Sequence, residues 1–136
     1  MSARAGLWMF MRKEAGKNMT DRFPEATFNL LAQASRFHDD REEESLVFEN
    51  CLGKMLGFYD NAPFGDDLYI YQEGIYWNNN TVNYCFFYRE MKEITLDSEH
   101  PQGIVVALDD GETFLLPVRN PQDREIFYQF LNYDRN

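Results

Sequence analysis

Residues 68–80 read LYIYQEGIYWNNN. Two short runs of alternating aromatic and aliphatic side chains, Leu68 to Tyr71 and Ile75 to Trp77, flank Glu73-Gly74, and Asn78, Asn79 and Asn80 follow. Alternation with a period of two marks strands, and a Gly-containing pair between two such runs marks a tight turn. Asparagine tolerates positive φ, so a second turn is expected at 78–80, with Thr81 to Tyr84 returning as a third strand.

Working outward toward the C-terminus, Lys92 to Asp97, Gly103 to Leu108 and Glu112 to Val118 read as further strands. Asp109-Asp110-Gly111 between the last two is a strong hairpin signal. Asn120-Pro121 then opens a helix, with Pro at its first position and Ile126, Phe127, Phe130 and Leu131 on one face.

Toward the N-terminus the period changes to that of a helix. Thr20 or Asp21 can cap, Pro24 sits in an early turn, and Phe23, Thr27, Leu30, Leu31, Ala34 and Phe37 recur at three and four, predicting a helix that ends near Phe37. A second helix is expected over residues 45–59, where positions 48, 51, 52, 55, 56 and 59 are apolar. Gly53 and Gly57 argue against it, each costing about 1 kcal/mol relative to Ala in a helix, and two short strands are the rival. Residues 60–67 are loop by composition. The expected fold is α+β: two N-terminal helices, then an antiparallel β meander closed by a C-terminal helix.

The order of features from Leu68 onward resembles bacterial pleckstrin-homology-like domains. The residues that carry the resemblance are Tyr71 to Tyr76, Tyr84 through Ile94, Ile104 to Gly111, and Leu116-Pro117-Val118 before the helix. The resemblance covers about half the chain and implies a half-barrel or barrel. Lipid-binding members hold phosphoinositides with basic residues in their first strand loops, whereas this chain has Asp60, Asp66, Asp67 and Glu73 there. It therefore implies the scaffold without the lipid, since a fold alone does not fix a function.

Charge narrows the partners. The 136-residue chain carries a net −10, yet residues 1–22 hold five basic groups against two acidic ones, a balance of +3 that leaves −13 for the rest. Residues 1–19 read as a basic N-terminal tail and 20–136 as one α+β domain, with 44% hydrophobic residues, enough for a core. An acidic body repels phosphate backbones and anionic headgroups, so neither nucleic acid nor membrane is expected as a partner. The run Leu7 to Met11 is too short for an export signal or a membrane span. Cys51 and Cys85 lie far apart with no neighbouring His, which points to buried thiols in a reducing cytosol, with a single disulfide as the alternative.

The chemistry of sites is sparse. Phosphate loops, zinc-protease helices and nucleophile elbows are absent, and the pairs Asp39-Asp40, Asp66-Asp67 and Asp109-Asp110 suit turns better than metals. No catalytic residue, metal or cofactor is expected. The aromatics Tyr69, Tyr71, Tyr76, Trp77, Tyr84, Phe86, Phe87 and Tyr88 could stack bases, but residues 60–88 contain no Lys or Arg to neutralise phosphate. Core packing takes most of them, and a minority on one sheet face would form a protein-contact patch.

These features point to a non-catalytic, acidic protein-interaction domain in the cytoplasm that binds and inhibits a basic protein, as immunity proteins neutralise nuclease-like toxins. The expected contact residues are Asp39, Asp40, Glu42, Glu43, Glu44, Asp66 and Asp67 for steering, with Trp77, Asn78 and Asn79 as a rim. A ligand or lipid-headgroup module is the alternative, and a small hydrolase the third.

Overall fold

The computed structural model describes residues 25–39, 49–79 and 82–133. Helix α1 spans Glu25–Leu31. Thr27, Leu31 and Ala34, spaced by four and three, are buried, but the chain tightens after Leu31 into i→i+3 bonds, Gln33 N–H to Leu30 and Ala34 N–H to Leu31. The helix therefore stops short of Phe37, which belongs instead to a two-residue strand β1, Phe37–His38. The expected caps Thr20 and Asp21, with Phe23 and Pro24, lie outside the described residues.

The second expected helix is overturned. Among the described residues of that stretch only Glu49–Leu52 is helical (α2), and Met55–Tyr59 is a strand, β2. Gly53 at φ +83° terminates the short helix in the left-handed region, which glycine enters without a Cβ penalty. Burial along β2 alternates strictly, with Met55, Gly57 and Tyr59 inside. A β-carbon on Gly57 would lie 2.3 Å from the His38 carbonyl oxygen, so the close approach of β1 requires glycine there.

Five more antiparallel pairings follow, each between strands consecutive in the chain. Strands β3 (Leu68–Tyr71), β4 (Gly74–Asn79) and β5 (Val82–Phe87) complete a five-stranded sheet in the order β1-β2-β3-β4-β5. A 3₁₀ turn, Tyr88–Glu90, leads to a three-stranded sheet of β6 (Met91–Thr95), β7 (Gly103–Leu108) and β8 (Thr113–Pro117). Helix α3, Pro121–Asn132, ends the described chain, its cap Asn120 accepting from the Gln122 N–H. The half-barrel or barrel is thus replaced by two separate sheets, and the described helices before them are two short segments. At the break, the Glu90 carboxylate accepts from the Phe87 N–H, while Tyr88 Oη lies 2.7 Å and 3.0 Å from the Tyr71 and Gly74 carbonyl oxygens and shares its proton between them.

The opening stretch folds as a hairpin, with its turn one residue earlier than expected. Leu68 faces Trp77 and Ile70 faces Ile75, which leaves Gln72 and Glu73 as the connection and places Gly74 inside β4. Gly74 serves packing: a β-carbon there would sit 2.2 Å from the Phe86 carbonyl oxygen and 2.8 Å from Leu52 Cδ2. Alternate residues serve two cores. Leu68, Ile70, Ile75, Trp77 and Phe86 face the second sheet and α3, joining Ile104, Val106, Leu116, Phe127 and Phe130. Tyr71, Cys85 and Phe87 face the other way, against Leu52 and Met55. Cys51 and Cys85 are both buried thiols. No helix among the described residues is long and apolar enough to cross a membrane.

A buried carboxylate joins the layers. Asp123, in the first turn of α3 and 2% exposed, accepts from Ser35 N–H (2.9 Å), Ser35 Oγ–H (2.9 Å) and Tyr59 Oη–H (2.6 Å). Burial first, and the Asp123 carboxylate second, push the Tyr59 phenol far above its ordinary value near 10. A phenol that holds its proton more tightly in the fold contributes stability fully below that ordinary value and loses it as pH rises further. Stability should therefore decline in the alkaline range beyond pH 10. Tyr59→Phe is expected to remove that part of the decline and to cost about 2 kcal/mol at neutral pH, measured by urea unfolding over a pH series. Gly74→Ala is expected to destabilise by about 1–3 kcal/mol through forced separation of β4 from β5, read from the same urea midpoints.

Candidate functional site

The loop from Asp60 to Asp67 joins β2 to β3 and is anchored by Asn61, which is fully buried. Its side-chain N–H groups donate to the carbonyls of Asp66 (2.9 Å) and Pro117 (3.0 Å), and its side-chain oxygen accepts from the Arg119 N–H (3.0 Å). The Asn61 N–H donates to the Asp67 carboxylate at 2.8 Å. One amide thus stitches the loop of the first sheet to the chain leaving the second. It brings together Asp66 and Arg119, which are 53 positions apart.

Asp66 is 3% exposed, and its Oδ2 accepts from Arg119 Nη2. Arg119 Nη1 donates to Gln102 Oε1, and the guanidinium carbon lies 4.4 Å from the centroid of the Phe64 ring, a cation–π contact. Phe64 itself is 59% exposed. Two buried atoms of this group, Asp66 Oδ1 and Arg119 Nε, have no hydrogen-bond partner among the described residues. Leaving such an atom unsatisfied costs about 1–3 kcal/mol, so the pair is an incompletely settled polar feature of the fold.

Beside the pair lies a cleft of about 270 Å³, with Trp77, Asn79 and Tyr84 on the wall from the first sheet and Gln102, Thr113, Phe114, Leu115 and Pro117 on the wall from the second. Its floor is aromatic. Trp77 stacks on Tyr84 at 5.1 Å between centroids, and Phe114 meets both edge-on at 5.8 Å and 5.6 Å. Leu115 is exposed at the rim.

The residues expected to form one contact surface are dispersed. Asp66 and Asn79 line the cleft, and Trp77 is its floor, 2% exposed and so no rim. Asn78 points to the opposite sheet face, donating to Asn83 Oδ1, which also accepts from Tyr76 Oη–H. Asp67 is engaged with the Asn61 backbone. Asp39 is exposed next to β1, at the far edge of the five-stranded sheet from β5. Asp40, Glu42, Glu43 and Glu44 lie outside the described residues. Among the other acidic groups, Glu90 is internal, and the Asp97 carboxyl is held below the usual carboxylate range by the Glu99 N–H and by His100.

Arg119, Gln102, Phe64 and Leu115 were not anticipated. Nothing local in sequence marks them, because the Asn61 clasp that assembles them spans the two sheets. No family model matches the chain, and no curated protein or solved structure matches it either.

The Asp66–Arg119 pair is partly solvated on the arginine side, whose side chain is 25% exposed, so its coupling is expected to be modest. A double-mutant cycle with Asp66→Ala and Arg119→Ala should return a coupling of about 1–2 kcal/mol by urea unfolding, with Asp66→Ala alone costing about 1–3 kcal/mol.

Proposed function

We propose that the protein is a non-catalytic binding domain that docks a basic protein partner through this cleft and blocks it, in the way immunity proteins block nuclease-like toxins. The observation that carries the reading is the cleft itself: an aromatic floor beside a buried, incompletely bonded carboxylate. Phe64 and Leu115 stand next to it, two of the three large apolar side chains exposed among the described residues. Exposed apolar anchors around a desolvated polar centre are the arrangement of binding hot spots. The net charge of −10 supplies attraction at long range toward a cationic surface, raising the rate of encounter while the cleft holds the complex.

The test uses the ¹⁵N-labelled protein titrated with small basic nucleases and with arginine-rich peptides, at low and at high salt. Shifts are expected at the Trp77 indole and at the backbone amides of Asn79, Tyr84 and Leu115, with weaker binding at high salt. Phe64→Ala and Leu115→Ser should each weaken binding by about ten-fold. Binding that maps away from the cleft, or that ignores both salt and these substitutions, would overturn the reading.

A further inference from the structure

Resting on the cleft as the docking site, we infer that its polar wall receives a primary carboxamide, the side-chain end of a partner's glutamine or asparagine. The two unsatisfied atoms are one acceptor, Asp66 Oδ1, and one donor, Arg119 Nε. Their groups are already joined through Oδ2 and Nη2, so each open position is two covalent bonds from an atom of that contact. A primary amide carries the matching set: its oxygen accepts from Nε–H and one of its N–H groups donates to Oδ1. A carboxylate has no proton to offer Oδ1, and an ammonium or guanidinium has no acceptor for Nε.

Charge points the same way. The Asp66–Arg119 pair sums to zero, so a neutral dipolar group can be buried against it without adding a net charge, whereas a cation or an anion cannot. Long-range attraction of a basic partner by the acidic body and local reading of one neutral side chain are separate tasks. Size agrees: about 270 Å³ is below the roughly 300–1,000 Å³ of pockets that enclose whole drug-sized ligands, and suits the tip of one side chain. The stacked Trp77 and Tyr84 rings give its methylenes an apolar wall.

Both open atoms are shielded in this conformation, and Phe64 lies over the guanidinium while being mostly exposed to solvent. A side chain so lightly packed can swing aside at little cost and uncover that face of the guanidinium. A terminal amide enters such an opening from one side, whereas a backbone peptide would need room for chain at both ends.

The experiment follows the Arg119 Nε–H and Trp77 indole N–H resonances of the full chain, the former assigned by its loss in Arg119→Lys, during titration with propionamide. Both are expected to shift saturably. Asp66→Ala should weaken the response by about ten-fold. N,N-dimethylpropionamide, which keeps the acceptor for Nε–H but lacks the donor for Asp66 Oδ1, should bind about ten-fold more weakly than propionamide. A response to N-methylpropionamide equal to that of propionamide would assign the site to peptide backbone, and a response to ethylguanidinium alone would assign it to a cation; either overturns the inference. It also falls if no probe moves Arg119 Nε–H. If basic proteins still shift the cleft in that case, the docking reading stands without it. A cleft that responds neither to amides nor to basic proteins removes both.

Discussion

The arrangement depends on one buried charge. Asp123 sits in the first turn of α3, where a carboxylate complements the helix dipole, and it accepts three hydrogen bonds from two other parts of the chain. An ionised carboxylate without such partners would be too costly to bury. With them, it ties the exit of α1 at Ser35 and the end of β2 at Tyr59 to the C-terminal helix. Tyr59 also packs edge-on against Phe127 at 5.0 Å, so the polar knot and the apolar core hold the same residues. Asn61 follows two residues after Tyr59, and the loop that shapes the cleft therefore begins from a position Asp123 has already set.

The parts of the fold legible in sequence are those where local chemistry and tertiary packing agree. Asp109-Asp110-Gly111 connects β7 to β8, and Asn120-Pro121 caps α3 with Phe127, Phe130 and Leu131 buried, because turn and cap preferences act over a few residues. Residues 45–59 misled because apolar positions at three and four satisfy a helical period, while the actual β2 buries Met55, Gly57 and Tyr59 at period two. Gly53 and Gly57 were the signal: one ends a helix, the other admits a neighbouring strand. The aromatic density of residues 68–77 reflects a sheet buried on both faces, which makes every position look like core.

The cleft was far less legible. Asp66 looked like one acid in an exposed cluster, and its burial follows from Asn61 and Arg119, contacts that cross from one sheet to the other. Long-range pairs of this kind leave no periodicity or motif behind. Trp77 was singled out for the right strand but the wrong depth, because alternation assigns a face and not how much of that face a second sheet will cover.

The two walls of the cleft come from sheets that, among the described residues, share no ladder hydrogen bonds. Asn79 on one side and Thr113 and Leu115 on the other are exposed, so none of them holds the core together. Substitutions at these positions can accumulate on either wall independently and at little cost to folding. On the docking reading proposed above, descendants of such a chain could exchange one target for another by changing a few residues at the mouth, while the knot at Asp123 and the clasp at Asn61 stay as they are.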